Sequence, residues 1–215
     1  MPHYWLTYGN NRTDADRLQV MELPYPLSYH IPQMAFSDQG SSFYHSPKEE
    51  DHEVGVEILF KINRQLRNAS AAEAHEAIES FHSGFSVTNR WHIRQVEAHS
   101  NYLTDQDEAD IEYYSRWWDK SNVIGPVLDA QWGDLAGKHL IFKVGIQERT
   151  TDINYFHSPV QILRFVSSFT TLYPETYLGM GQLIRIPYSS SEGRTSVSVE
   201  IDGLTRFESD LCLGT

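Results

Sequence analysis

The run HEVGVEILFKI (52–62) alternates with a period of two, so a strand here carries Glu53, Gly55 and Glu57 on one face and Val54, Val56, Ile58, Phe60 and Ile62 on the other. Two carboxylates on one strand face supply hard oxygen ligands for a divalent cation, or the acid and base of a proton transfer. A second face of this kind lies in GFSVTNRW (84–91), where Arg90 alternates with Ser86 and Thr88. A guanidinium there neutralises a carboxylate or polarises a carbonyl oxygen; on an edge strand it would simply face solvent. The remaining candidates are weaker. Ten histidines, among them His92, His139 and His157, show no ligand-like spacing, and His45 and His52 flank an acidic loop. Ser189 to Ser191 lack the surroundings of a nucleophile elbow, and Cys212 has no basic cluster near it. Trp117 and Trp118 suit packing, one inward and one over a pocket mouth.

Strands and a few helices must position these groups. Alternation marks strands at 54–62, 84–91, 139–147 and 197–201. Ser70 with Glu73 forms a capping box ahead of an apolar stripe of Ala74, Ile78 and Phe81, with Gly84 as a stop. Ser158-Pro159-x-Gln161 repeats the start signal before Ile162, Phe165, Val166 and Phe169. A third helix is expected over 107–118, where the acidic run DQDEADIE suits a helix N-terminus. The stretches 37–51 and 189–196 read as loops. The result is an α+β chain, rich in sheet.

At 215 residues a single domain enclosing a pocket is expected, with residues 1–50 as its variable part. A formal net charge of −12 argues against nucleic acid and anionic membranes as partners, and no apolar run approaches the roughly 20 residues of a spanning helix. One cysteine and an N-terminus without a signal-like apolar region point to a cytoplasmic protein.

The order of several short motifs resembles the fumarylacetoacetate hydrolase superfamily. EILFKINRQLRNASAAEAHEAIESFHSGFSVTN is similar to its central Glu-x-Glu strand, "RNVS" turn, helix and second strand. SRWWDKSNVIGP (115–126), QERTTDINYF (147–156), LYPETYLGMGQL (172–183) and VSVEIDGL (197–204) resemble later family segments in the same order, so the match spans about residues 53 to 208. The resemblance implies a mixed β-roll with a few peripheral helices, usually dimeric. It also implies a divalent cation held by two Glu and one Asp, and chemistry on keto and enol acids.

This chain departs from that pattern at the ligands. Counted back from Asn68-Ala69-Ser70, Glu57 falls on the second family Glu and Gly55 on the first; a register slipped by two puts Glu53 on the first and Gly55 on the second. Arg90 occupies the position of the ligand Asp. The resemblance therefore implies that Arg90 replaces the metal's charge and pairs with Glu57, and that no metal or other cofactor is bound. The family Lys falls on Arg116, ahead of Asp119, and the family His corresponds loosely to Asp14 and the Glu that partners that His to Arg17. The expected catalytic set is Glu57, Arg90, Arg116 and Asp119. Glu53, Trp117, Trp118, Met180, Gln182 and Leu183 are expected to bind substrate, with Met180 and Leu183 as apolar wall. Three readings follow: a metal-independent lyase, isomerase or cyclase for an apolar keto/enol small molecule, working as a homodimer; a noncatalytic relative that binds ligands or partners; or a metal-dependent hydrolase whose ligands lie in another register.

Overall fold

The computed structural model describes residues 3–17, 24–38, 52–89, 115–117, 120–188 and 194–212. Its strands are β1 (Tyr4–Tyr8), β2 (Leu27–Ile31), β3 (Phe36–Asp38), β4 (His52–Ile62), β5 (Ile78–Asn89), β6 (Asn122–Leu128), β7 (His139–Val144), β8 (Gln147–Asp152), β9 (Tyr177–Tyr188), β10 (Arg194–Ile201) and β11 (Thr205–Cys212). The helices are α1 (Arg12–Arg17), α2 (Ala71–Ala77), α3 (Trp132–Leu135) and α4 (Pro159–Phe169). One sheet runs β2-β1-β9-β4-β5-β6-β3 and mixes parallel and antiparallel neighbours; the other runs β11-β10-β7-β8. This is the expected α+β architecture.

β4 is central because its two faces do different work. Val54, Val56, Ile58, Phe60 and Ile62 enter the main core, with Phe142 and Val144 of β7, Val197 and Val199 of β10, and Ile162, Leu163 and Val166 of α4. The other face passes from Glu53, Gly55 and Glu57 to Leu59, which joins a small core with Leu6 and Ile31. It ends at Lys61, paired with Glu175 at 2.7 Å.

Both expected capping boxes form. Ser70 accepts from the Glu73 N–H while Glu73 accepts from the Ser70 N–H, and Ser158 and Gln161 do the same at α4. The end of the first helix needs correction: α2 stops at Ala77, and Ile78 and Phe81 belong to β5, where Ile78 pairs with Ile62 and Phe81 with Phe60. β-branched and aromatic residues suit a ladder as well as a helix stripe, and the partner strand decides. The strand expected over 139–147 is a hairpin whose turn holds Ile146, fully exposed. Residues 194–196, read as loop, extend β10. Most of the 107–118 helix lies outside the described residues, and Ser115 and Arg116 stand in a turn.

Candidate active site

On β4 the site begins at Glu57, which is only 2% exposed. Its neighbour β9 carries a bulge here: Glu57 pairs with Gln182 and Leu59 with Gly179, so two residues, Met180 and Gly181, span the gap opposite Ile58. Gly181 has φ +99°, which a side chain would strain, and an added Cβ would sit 3.0 Å from Asp14 Oδ2. The bulge aims the Gly181 N–H at Glu57 Oε2 (3.3 Å). From the other side, Arg116 Nη1 donates to Glu57 Oε1 at 3.1 Å, and the Arg116 side chain is completely buried. Arg116 stays in place because its carbonyl accepts from Ser121 Oγ (2.7 Å) and Asn122 Nδ2 (3.0 Å) at the start of β6.

A second buried pair lies beside the first. Arg185 of β9 stands opposite Gly55, and its Nη2 donates to Asp14 Oδ1 at 3.0 Å. Asp14 also accepts from Gly9 N–H (3.2 Å) and Asn11 Nδ2 (3.1 Å), so the start of α1 is wrapped around it. The outer nitrogen of Arg185, Nη1, lies 3.9 Å from Glu53 Oε2. Asp14, Arg185 and Glu53 thus form a charged row from the interior to a cleft of about 300 Å³. Thr13, Glu53, Arg149, Thr151, Leu183 and Arg185 line this cleft, with Ile184 and Pro187 on its apolar side.

Tyr155 ties the two pairs together. Its hydroxyl donates to the Gly181 carbonyl (2.9 Å) and accepts from the Ile58 N–H (3.3 Å). Burial pushes its phenol well above the ordinary value, and the nearby Glu57 and Asp14 carboxylates push the same way. A phenol held neutral in the fold stabilises it until unfolded tyrosines ionise near pH 10; above that pH the unfolded state sheds the proton first and stability falls. Tyr155→Phe is expected to cost about 1–3 kcal/mol at neutral pH, through the unmet Gly181 and Ile58 groups, and to flatten this alkaline fall. Urea midpoints of both proteins at pH 8, 10 and 11 check it; an unchanged alkaline slope refutes it.

Several expected roles change. Glu57 and Arg116 were expected to meet substrate; they lie beneath the bulge, buried and paired with each other. Glu57 pairs with Arg116; the pair expected between Glu57 and Arg90 falls outside the described residues, because Arg90, Asp119 and Trp118 lie outside them, as do His45 and His92. Met180 is completely buried in the main core, so it forms no pocket wall; its carbonyl accepts from Asn10 Nδ2 at 3.0 Å. Leu183 and Glu53 do line the cleft. Trp117 is 39% exposed. Gln182 is buried, and its Nε2 donates to Ser86 Oγ at 2.5 Å. Its amide fills the space over Gly55, where a Cβ would come within 2.2 Å. Arg149, Arg185 and Tyr155 went unassigned from sequence. Arg185 had a signal: a charge inside the apolar run LIRIP, which can be buried only with a partner.

The chain is thus a mixed two-sheet roll with a buried acid–arginine pair at the bulge between β4 and β9. Residues 5–211 match the family profile described as Fumarylacetoacetate (FAA) hydrolase C-terminal, and the chain belongs to that family. It is similar in fold to 5-carboxymethyl-2-hydroxymuconate delta-isomerase from Mycobacterium smegmatis, with TM-score 0.76, 17% identity, and 99% of this chain and 79% of that one covered. It is also similar to fumarylpyruvate hydrolase from Pseudomonas aeruginosa, solved with Mn2+ and pyruvate, with TM-score 0.77, 16% identity, and coverage of 100% and 91%. A third is 2-hydroxyhepta-2,4-diene-1,7-dioate isomerase from Mycobacterium marinum, with TM-score 0.72, 18% identity, and coverage of 98% and 74%. No curated protein matches the sequence. Among the described residues no helix is long and apolar enough to cross a membrane.

The family implies a divalent cation, which requires several hard oxygen donors in near-octahedral array. The described residues do not fit it. One oxygen of Glu57 accepts from a guanidinium and the other from a peptide N–H, while the Gln182 amide occupies the space at Gly55. No group of three or more His, Cys, Asp or Glu is arranged for a metal among the described residues.

Proposed function

We propose that this chain is an isomerase-type enzyme that moves a proton on a keto/enol acid without a metal ion. The observation that carries the reading is Glu53, at the edge of a cleft and backed by the buried Arg185–Asp14 pair. Arg149, exposed and held by donation of its Nη1 to the Arg185 carbonyl (3.0 Å), offers a guanidinium to the substrate's carboxylate or enolate oxygen. Leu183, Ile184 and Pro187 receive an apolar body. Glu53 takes a proton from the carbon next to the carbonyl, Arg149 stabilises the enolate, and Glu53 returns the proton to another carbon. Arg185 positions Glu53. Two of the similar structures are isomerases whose names describe unsaturated 2-hydroxy acids, which supports this substrate class.

Solvent-deuterium incorporation into 2-oxobutanoate, and ketonisation of 2-hydroxymuconate-type enols, followed by NMR and ultraviolet absorbance in the presence of EDTA, test the reading. Turnover is expected to persist with chelator, to fall about 10²- to 10⁴-fold in Glu53→Gln, and to show a raised KM in Arg149→Gln. Activity that EDTA abolishes and Mg2+ restores would refute metal independence. Binding of these acids without exchange or ketonisation would make the protein a noncatalytic binding module.

A further inference from the structure

A cavity of about 530 Å³ lies away from the cleft, between the segment before β2 and the outer face of α4. Its size suits a small organic ligand. Tyr25 is 57% exposed, yet its ring stacks flat on Phe165, with centroids 4.6 Å apart and planes within 6°. The His157 ring lies 19° from parallel to Tyr25, with centroids 6.5 Å apart. Both rings line the cavity, and near-parallel aromatic faces offer a flat ring a surface on which to stack.

His157 is held firmly. Its N–H donates to Asn10 Oδ1 at 2.8 Å, its carbonyl accepts from Asn10 Nδ2 at 3.3 Å, and only 8% of the residue is exposed. Asn68, in the left-handed region at φ +50°, is fixed by donation of its N–H to the Ser167 carbonyl (2.9 Å). Around these surfaces α4 sets Gln161, Arg164 and Ser168, while its Ile162, Leu163 and Val166 face the core. Gln161 spends its Oε1 on the helix cap, so it offers only the NH2 to a ligand. The polar chemistry left is a guanidinium, two side-chain amides and a hydroxyl, with no carboxylate in the described lining.

We infer that this cavity is a second binding site, separate from the Glu53 cleft, for a planar heteroaromatic ring bearing an anionic group. Tyr25 and His157 hold the ring, and Arg164 pairs with the anion. Such chemistry belongs to a nucleotide or to a simple aromatic acid, and the probes separate them.

Saturation-transfer NMR and calorimetric titration with adenosine 5′-monophosphate, adenosine, inorganic phosphate and indole-3-carboxylate form the test. At least one of the two ring-bearing anions is expected to bind, adenosine more weakly than its monophosphate, and phosphate alone not measurably. Tyr25→Ala should weaken the bound anion at least 10-fold, Arg164→Gln should weaken it while sparing adenosine, and Glu53→Gln should leave it unchanged. Tyr25 and Arg164 are both exposed, so the thermal unfolding of the two variants should match the parent and show that the fold is retained. Binding of the monophosphate alone assigns a nucleotide; binding of indole-3-carboxylate alone assigns an aromatic acid. Failure of both anions, or binding that Tyr25→Ala and Arg164→Gln leave untouched, overturns the inference.

Discussion

Arg116→Met is expected to lower the unfolding free energy by about 3–5 kcal/mol, the cost of leaving one member of a buried ion pair alone. Glu57 is 2% exposed and cannot turn to water, because β4 fixes its backbone and the Gly181 bulge covers it. The Gly181 N–H on Oε2 does not replace the charge of the guanidinium. Removing both charges should therefore be gentler than removing one: Glu57→Leu with Arg116→Met fills similar volume with apolar atoms and should recover most of the loss. Urea unfolding of the two single variants and the double variant closes the cycle. Additive losses would mean that the 3.1 Å contact carries no coupling, and with it would go the view of this pair as the floor of the site.

Asp14→Ala is expected to be nearly as damaging, for a related reason. It removes the acceptor of Arg185, Gly9 and Asn11 at once and leaves the Arg185 guanidinium buried. Glu53, at 3.9 Å, compensates only in part, so the loss should be about 3 kcal/mol. There is also a functional consequence. An Arg185 that turns wholly toward Glu53 holds the carboxylate charged and away from substrate, so proton exchange should fall further than folding does. Asp14→Asn, which keeps the size and one acceptor oxygen, should lose less stability than Asp14→Ala. Equal losses in Asn and Ala would show that the acceptor oxygen kept by Asn counts for nothing and that the lost charge carries the whole effect.

The sequence carried the fold further than the site. β4 was legible because one of its faces is wholly apolar, and the starts of α2 and α4 were legible because capping boxes are local chemistry. The end of α2 was not, since Ile78 continues a helical stripe as well as it begins a strand, and only its pairing with Ile62 settles the matter. At the site Glu57 and Arg116 were both recognised, but their pairing was not. Ser86 and Arg90 alternate in the sequence, whereas Arg116 arrives from a turn 59 residues along the chain from Glu57, a closure that no local pattern encodes. Met180 was misplaced because the bulge changes which β9 residues face the site. Arg185 needed the inference that a charge within LIRIP must have a buried acid, and Asp14 lies 171 residues away.

The Gln182 amide packed on Gly55 also bears on the routes by which this lineage can change. Adding a carboxylate at 55 alone drives it into an occupied space, and removing Gln182 alone strands the Ser86 hydroxyl beside a void. Exchanging Arg116 alone removes the guanidinium that pairs with Glu57. Each step toward a cation-binding strand face is destabilising until the others have been taken, so single substitutions reach such a face only through less stable intermediates, the behaviour of an evolutionary ratchet.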